Sequence, residues 1–407
     1  MIMLRSIAFR LCVAFACFMA AGSLQAQGVD PLQFDVAYLA SDLLEGREAG
    51  SPGEQLAANY IAARFEDIGL MPAGEDGSWL QAFEFNSNPH GASNGELLTG
   101  RNVVGTIDNG APHTVVIGAH YDHLGHGGMG SRDPGSSAIH NGADDNASGV
   151  AALLDVARQL IQSGSRANNY VFVAFSGEEL GLFGSKHFVS QLPLERINYM
   201  INMDMVGRLP STRALAVNGT GTSPAWDAAV DAAAASLRLD VKKHESGLGP
   251  SDHSSFYLEG VPVLHLFTGQ HAEYHKPADD SHLINYEGLR DIASFVVSVL
   301  DGLDDSGKLA FTKTNDAQES RTQFNVTLGI MPDYVSDGTG VKIDAVMDGR
   351  PAFVAGLLKG DVIVRLGDVD VKTIEDYMKA LSAFEKGDVT KVVVRRDREV
   401  VEREVEF

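Results

Sequence analysis

The stretch that decides the fold reads Thr114-Val-Val-Ile-Gly-Ala-His-Tyr-Asp122. Its first six residues are apolar or small, which is typical of a strand buried on both faces, and polar residues follow at once. The same change recurs at residues 170–179, which end in two glutamates, and at residues 199–204, which end in an aspartate. Because parallel strands of an open α/β sheet end at one edge, these side chains are predicted to form one polar pocket there.

The remainder of residues 27–303 alternates helix-type and strand-type patterns. Ser51-Pro-Gly-Glu54 is a capping box with proline at the first helical position, and the helix that it opens ends at Gly69. Further helices are predicted near residues 149–162 and 286–300, and a further strand at residues 261–267. This alternation predicts an α/β domain with a three-layer, mainly parallel sheet and helices on both faces.

Composition restricts the partners of this chain. It has 407 residues, of which 44% are hydrophobic and 21% charged, as in globular proteins of more than one domain. The net charge of −22 argues against nucleic acid and anionic membrane surfaces as partners, because both are bound through basic patches. Acidity favours solubility but does not identify a substrate.

Residues 1–26 have the pattern of a signal peptide. Arg5 and Arg10 precede an apolar stretch that is too short to span a bilayer comfortably, and Ala26 offers a small residue at a cleavage point. Cys12 and Cys17 both lie in this segment, so the mature chain is expected to lack cysteine. We expect export to the periplasm or the medium, with no membrane association after cleavage. The alternative is an uncleaved membrane anchor.

Five side chains are candidate metal ligands because histidine nitrogens and carboxylate oxygens suit zinc. They are His120, Asp145, Glu179, Asp204 and His275. Three carboxylates and two imidazoles fit two zinc ions that share a hydroxide, since the charges then sum to zero. Asp122, two residues after His120, is expected to hold the second nitrogen of that imidazole. Cobalt and manganese remain open as the native metal.

The segments that carry these residues resemble the co-catalytic dizinc aminopeptidases, whose relatives include glutaminyl cyclases, glutamate carboxypeptidases and the catalytically silent transferrin receptor. The resemblance covers residues 32–300 and rests on five motifs in the same order. They are His120-Tyr-Asp122, Gly142-Ala-Asp-Asp-Asn-Ala-Ser-Gly149, Ser176-Gly-Glu-Glu-Leu-Gly181, Asn202-Met-Asp204-Met and Tyr274-His275-Lys-Pro-Ala-Asp279.

The resemblance implies a role for each residue. His120 and Asp204 would hold one zinc ion, and Glu179 and His275 the other. Asp145 would bridge both ions, and Glu178 would be the general base. The family has an Asp-Thr pair after the last histidine, where this chain has Asp279-Asp280, so the local hydrogen bonding is expected to differ.

Other polar residues of this region are expected to have supporting roles. His123, His126 and His140 lie in or beside a glycine-rich insertion and are predicted to be loop or rim residues. His265 falls in an apolar strand and is predicted to be a core histidine. Residues 42–47 are expected to form a structural salt bridge. Residues 251–253 are expected to lie behind the site or in the substrate pocket.

The C-terminal part has a different pattern. Residues 304–322 are polar and aperiodic, which predicts a linker, and a β-rich composition begins at residue 323. The loop Thr327-Leu-Gly-Ile330 and residues 351–364 resemble the peptide-binding loop and the signature helix and strand of PDZ domains. Leu328, Gly329 and Ile330 would then donate backbone N–H groups to a free C-terminal carboxylate. The alternative for residues 323–407 is a small cap that only stabilises the catalytic domain.

The sequence therefore predicts an exported zinc aminopeptidase that acts on peptides and carries a domain for protein C-terminal tails. An inactive binding homologue is a second hypothesis, which the presence of all five ligands and Glu178 disfavours. Carboxypeptidase and glutaminyl cyclase activity on the same scaffold also remain open. A carboxypeptidase would need cationic groups for the substrate carboxylate, and a glutaminyl cyclase typically binds one zinc ion.

Overall fold

The computed structural model describes residues 30–87, 96–128, 130–133, 135–164, 166–314, 326–332, 340–346, 349–372, 374–397 and 399–407. The predicted signal peptide and residues 315–322 of the predicted linker lie outside these ranges. Among the described residues, no helix has the length and apolarity needed to cross a bilayer.

The first part of the chain forms one mixed sheet. Its strands are β1 (Met71–Pro72), β2 (Leu80–Asn86), β3 (Leu97–Ile107), β4 (Thr114–His120), β5 (Asn169–Phe175), β6 (Ile197–Met203), β7 (Ala214–Asn218), β8 (Asp240–His244) and β9 (Val263–Phe267). They follow the order β1-β3-β5-β4-β6-β9-β7-β8, with β2 also paired to β3.

The centre of this sheet is parallel. The pairs β5–β4, β4–β6 and β6–β9 are parallel, and so is the pair β7–β8. β3 joins β5, and β7 joins β9, in antiparallel pairs. The predicted α/β class is confirmed, with antiparallel strands flanking a parallel centre.

Helices cover both faces of the sheet. They are α1 (Pro31–Leu39), α2 (Pro52–Ile68), α3 (Gly149–Ser163), α4 (Phe183–Ser190), α5 (Trp226–Leu237), α6 (His253–Tyr257) and α7 (Tyr286–Leu303). Successive strand residues point to opposite faces. Val115 and Ile117 accordingly pack in the cluster that contains α3 and α7, whereas Val116 packs with residues of α4 and α6. The central strands are thus apolar on both sides, as their sequence predicts.

The ends of helix α2 follow from its sequence. The Ser51 hydroxyl oxygen accepts the Glu54 N–H at 3.1 Å, and Gly69 ends the helix with a φ of 99°. Both predicted boundaries are confirmed. The carboxylate of Glu54 is buried and accepts hydrogen bonds from the Tyr121 hydroxyl and the Arg101 N–H, so this helix start is joined to the strand region beside the site.

The start of the predicted linker packs on this domain. Leu309 is buried in the main core, and its N–H donates to Asn198 Oδ1 at 2.8 Å. The Thr312 N–H donates to the Thr222 carbonyl at 2.8 Å. Polarity and lack of periodicity indicated a linker from residue 304, but these long-range bonds hold the backbone through residue 314.

The C-terminal part has its own sheet and core. Its elements are β10 (Ile330–Pro332), β11 (Val341–Val346), α8 (Pro351–Val354), β12 (Val362–Leu366), β13 (Val369–Asp370), α9 (Ile374–Leu381), β14 (Val389–Arg396) and β15 (Glu399–Glu406). The strands are antiparallel in the order β10-β11-β12-β14-β15, with β13 on β12. Leu328, Ile343 and Ile363 are among its buried residues. The predicted helix near residue 374 and strand near residue 390 are both present.

Candidate metal centre

The predicted site residues come from separate segments and meet at one edge of the sheet. His120 ends β4, Glu178 and Glu179 follow β5, and Asp204 follows β6. Asp145 lies in the turn before α3, and His275 lies in the loop after β9. The carboxyl ends of the central parallel strands thus supply one pocket, as the topology predicts.

The first group of ligand atoms surrounds His120. Its Nε2 lies 3.3 Å from Asp145 Oδ1 and 3.3 Å from Asp204 Oδ1. Ligand atoms that share a tetrahedral zinc ion with bonds near 2.0–2.1 Å are roughly 3.3 Å apart. His120 and the two carboxylates therefore have the separations that one zinc ion requires.

The second group lies around the other oxygen of Asp145. His275 Nε2 is 3.0 Å from Asp145 Oδ2 and 3.3 Å from Glu179 Oε2. The two carboxylate oxygens of Asp145 therefore face different histidines. This is the geometry that a carboxylate bridging two ions would have.

Backbone carbonyls orient both imidazoles. His275 Nδ1 lies 2.9 Å from the Gly130 carbonyl oxygen, and His120 Nδ1 lies 3.2 Å from the Asp122 carbonyl oxygen. A proton on Nδ1 that donates to each carbonyl leaves Nε2 free to bind a cation. Asp122 was predicted to act through its carboxylate, but Oδ1 is 3.7 Å from His120 and instead accepts the Glu178 N–H at 3.2 Å.

The electrostatics of the pocket favour a cation. Burial by itself would lower the pKa of His275, but the Glu179 and Asp145 carboxylates raise it to about 11. Burial raises the pKa of Glu178 well above its usual range, and the neighbouring Asp204 and Glu179 carboxylates raise it further. Imidazole and carboxylate donors with this excess of negative charge fit zinc ions.

Glu178 lies beside the first group of ligand atoms. Its Oε2 is 4.0 Å from His120 Nε2, and its side chain is 11% exposed. The adjacent Glu179 faces His275, so the two neighbouring glutamates point to different partners. Glu178 is therefore close to the ligand atoms without lying at ligand separation from them.

Arg47 fixes the backbone around the site. Its guanidinium donates to the carbonyls of Leu39, Tyr121, Asn141 and Gly142 and is 1% exposed. The expected salt bridge within residues 42–47 is thus wrong, because the partners of Arg47 are four backbone carbonyls. Burial lowers the pKa of Arg47 to about 10. This residue ties the His120 strand end to the loop that carries Asp145.

Asp279 supports the same loop from the other side. Its Oδ2 accepts the N–H groups of Asp144 at 2.9 Å and of Asp145 at 3.1 Å. From the sequence, Asp279 is the last residue of the Tyr274–Asp279 motif, and its support of the Asp145 loop is not predicted. An acidic residue in a motif that also carries a candidate ligand is the signal that could have indicated it.

The segment at residues 251–253 lies behind the first group. Ser251 donates to Asp204 Oδ2 at 2.7 Å and accepts from the Asn202 amide at 2.8 Å. Burial raises the pKa of Asp252 to about 7. Ser251 therefore orients a predicted ligand, which is one of the two roles expected for this segment.

The histidines of the glycine-rich insertion differ from one another. His126 is exposed, as a loop residue should be. His140 is buried against Ser131 and the Ala138 carbonyl, and His265 is buried in β9, where its Nδ1 contacts the Asn218 amide. The predicted loop or rim position is wrong for His123, which is buried beside a candidate ligand. It is 1% exposed, and its Nδ1 lies 2.7 Å from Glu179 Oε1.

The predicted peptide-binding loop of the C-terminal part is built around Gly329. This residue has a φ of 72°, which favours glycine, and its N–H donates to Thr327 Oγ1 at 3.0 Å. Leu328 and Ile330 are buried, and the Leu328 carbonyl accepts the Ala352 N–H at 2.8 Å. β10, which begins at Ile330, is an edge strand of the described sheet.

Comparison with known families agrees with this geometry. Residues 102–300 match the profile of peptidase family M28, and this span contains every predicted metal ligand as well as Glu178. This part of the chain is similar to peptidase family M28 and is called the M28 domain below. Residues 314–407 match the PDZ domain, and they form the second core.

Individual M28 relatives are distant. Leupeptin-inactivating enzyme 1 of Streptomyces exfoliatus is 28% identical over 237 residues, which cover 57% of this chain and 46% of that protein. Aminopeptidase YwaD of Bacillus subtilis is 30% identical over 201 residues, which cover 46% of this chain and 41% of that protein. The chain thus spans less than half the length of these curated relatives.

Solved structures share the fold of the M28 domain. BSAP, a zinc aminopeptidase from Bacillus subtilis, has a TM-score of 0.55 at 19% identity and covers 69% of this chain and 97% of its own. Porphyromonas gingivalis glutaminyl cyclase has a TM-score of 0.56 at 20% identity. The match covers 67% of this chain and 97% of the cyclase chain. At this identity the likeness supports the fold, and it does not separate the two activities.

Proposed function

We propose that this protein is a zinc aminopeptidase that removes N-terminal residues from peptides. The observation that carries the proposal is the pair of ligand groups that meet at Asp145, whose two oxygens face different histidines. Similarity to peptidase family M28 and the named activity of relatives such as the Bacillus subtilis aminopeptidase support it.

In this proposal the five ligands divide between two zinc ions. His120 and Asp204 would hold one ion, Glu179 and His275 would hold the other, and Asp145 would be shared by both. Two ions held in this way would supply a water of lowered pKa and polarise the scissile carbonyl. The carbonyl contacts at the two Nδ1 atoms support the roles of both histidines, because they leave each Nε2 free for a metal.

Glu178 is proposed as the general base. It takes a proton from the attacking water at a carboxylate oxygen and then delivers it to the nitrogen of the leaving amine. Its backbone N–H is fixed by Asp122 Oδ1, and its side chain is nearly buried beside His120. A carboxylate that is close to the first group, but outside ligand distance, is placed for this transfer.

The charges near the site favour a substrate amine over a substrate carboxylate. Arg208 lies 3.2 Å from Glu273 and 3.8 Å from Asp279, so its charge is already compensated by carboxylates of the protein. Glu178, whose side chain is 11% exposed, would attract an N-terminal ammonium group. This arrangement favours an aminopeptidase over a carboxypeptidase.

A substrate panel with metal analysis of the same sample tests the proposal. Aminoacyl substrates and peptides with a free N-terminus should be hydrolysed, and N-acylated peptides should not. Hydrolysis restricted to N-acylated peptides would contradict the aminopeptidase assignment. One zinc ion per chain, with cyclisation of an N-terminal glutamine, would indicate the glutaminyl cyclase alternative instead.

We also propose that the PDZ domain binds free C-terminal tails of peptides or proteins. The edge of β10 can accept an added strand, and the loop of Leu328, Gly329 and Ile330 lies at the start of this strand. The side-chain oxygen of Thr327 already accepts the Gly329 N–H, so Leu328 and Ile330 would be the first donors to a tail carboxylate.

Export is proposed from the pattern of residues 1–26. The M28 relatives include a protein named as a lipoprotein aminopeptidase in Mycobacterium tuberculosis, which is consistent with action outside the cytoplasm. N-terminal sequencing of the protein from the periplasm of a bacterial host should yield a chain that begins at Gln27. A chain that retains Arg5 in a membrane fraction would indicate an anchor.

A further inference from the structure

His123 is a buried group that the proposed mechanism does not use. Its side chain is 1% exposed, and its Nδ1 lies 2.7 Å from Glu179 Oε1 and 3.9 Å from Asp145 Oδ2. Its ring is 5.7 Å from the His275 ring. A third imidazole therefore lies beside the second ligand group.

The distances distinguish a metal ligand from a hydrogen-bond donor. Two atoms that share a tetrahedral zinc ion are roughly 3.3 Å apart, and His275 Nε2 has separations of 3.0 and 3.3 Å from its two carboxylates. The 2.7 Å separation of His123 Nδ1 and Glu179 Oε1 is shorter and is that of a charge-assisted hydrogen bond.

The other ring nitrogen supports the same assignment. His123 Nε2 is buried and has no hydrogen-bond partner among the described residues. If Nδ1 bound a metal, the proton would be on Nε2 and would be a buried donor without an acceptor, which is costly. If Nδ1–H donates to Glu179, Nε2 has only an unused lone pair. The donor tautomer is therefore favoured.

The position of the His123 ring is fixed by its surroundings. A Cβ atom on Gly142 would lie 2.5 Å from His123 Cδ2, so only glycine leaves room for the ring. The His123 N–H donates to the Arg47 carbonyl at 3.2 Å. His123 is thus held between the segment of Arg47 and the start of the loop that carries Asp145.

We propose that His123 is a positioning residue for the second metal ion, an inference that rests on the proposed dinuclear site. It donates Nδ1–H to Glu179 Oε1, and this bond turns Glu179 Oε2 toward His275 Nε2 and Asp145 Oδ2. The residue acts through Glu179 and makes no metal bond itself. Groups of this kind contribute about 10- to 100-fold to metal affinity.

Zinc binding of variants tests this role without any substrate. Each protein is dialysed against zinc buffered by a chelator, and bound zinc is measured per chain as free zinc is varied. His123→Ala should retain the first ion and bind the second about 10- to 100-fold more weakly. His123→Asn should bind close to the wild-type level, because its amide N–H can occupy the position of Nδ1–H.

His140→Ala is the matched control. His140 is a buried histidine of the same insertion, but its nitrogens contact the Ala138 carbonyl and the Ser131 hydroxyl. This variant should bind both ions as wild type does.

Three results would overturn the proposal. His123→Ala with unchanged affinity for the second ion would exclude a positioning role. If His123→Asn bound the second ion as weakly as His123→Ala, His123 Nδ1 would be assigned as a metal ligand. Fewer than two ions in the wild-type protein would remove the dinuclear site itself, and this failure of the proposed function is recognised from the wild-type sample alone.

Discussion

At the scale of single residues, the site depends on which oxygen faces which nitrogen. Asp145 turns Oδ1 toward His120 and Oδ2 toward His275, whereas Glu178 and Glu179 are neighbours in sequence with different partners. Residue type and order predict which residues form the site. The role of each residue depends on the geometry of the site, and it can be tested one residue at a time.

Glu178→Gln should keep both metal ions and near-native stability and lower kcat by about 10²- to 10⁴-fold, because the amide cannot accept the proton. Steady-state kinetics with zinc analysis and thermal unfolding of the same preparation measure this. If the variant instead lost zinc and kept its turnover per bound ion, the roles of Glu178 and Glu179 would have to be exchanged.

Asp145→Ala should empty both metal positions, because both groups share this carboxylate. His275→Ala should mainly empty one position, since His120 and Asp204 remain. Zinc content after dialysis at a fixed chelator concentration compares the two variants. Equal loss of metal in both would contradict a bridging role for Asp145.

At the scale of elements, buried polar groups hold the strand ends and loops in register. Arg47 contacts four carbonyls from three segments, and Asp279 fixes the turn before α3. His253, at the start of α6, stacks on His265 of β9 with ring centroids 4.4 Å apart. Sequence periodicity predicts each of these helices and strands separately, but it does not predict the contacts that join them.

Arg47→Met should lower the free energy of unfolding by about 3–5 kcal/mol, because it leaves buried carbonyls without donors. Zinc affinity should fall as well, since the loop that carries Asp145 loses its support. Urea denaturation and zinc titration measure the two effects. Arg290→Met is the control, because Arg290 is 49% exposed in its ion pair with Asp30. A similar small effect in both variants would contradict the structural role of Arg47.

Acid should weaken the packing of α6 on β9. Burial lowers the pKa of His265 from 6.5 to about 4, so between these values the unfolded state binds more protons than the folded state. The contribution of the neutral His265 ring to the free energy of unfolding is therefore fully present above about pH 6.5. It is lost as the pH falls toward about 4.

His265→Asn removes this titration and keeps a polar side chain near Asn218. The variant should lose roughly 1–3 kcal/mol less unfolding free energy than wild type between pH 7 and pH 4. Urea denaturation at several pH values measures the difference. Parallel pH profiles of the two proteins would show that His265 does not titrate on unfolding.

At the scale of the whole molecule, the chain combines two parts with separate cores. Leu309 and Thr312 pack on the M28 domain, so this domain continues to residue 314 in the described structure. A cut at residue 303 would remove these contacts, and a cut after residue 314 would leave them intact.

Truncation after residue 314 should leave turnover of a small aminoacyl substrate almost unchanged, because every proposed metal ligand and Glu178 precede this residue. Activity on long peptides or binding of a partner should fall. A fragment of residues 315–407 should bind peptides with a free C-terminal carboxylate. It should not bind the same peptides with an amidated C-terminus. Loss of small-substrate turnover would mean that the PDZ domain supports the active site.

The sequence by itself determined the α/β class, the PDZ segment and the set of five candidate ligands. Apolar runs that end in polar residues specify buried strands and the edge where they stop, and both properties are local. Only the tertiary structure decided which groups these side chains and loops contact. His123, Arg47 and Asp279 acquire their contacts from segments distant in sequence, as Leu309 does on the domain surface. Such contacts depend on how the loops pack, which periodicity and spacing do not encode.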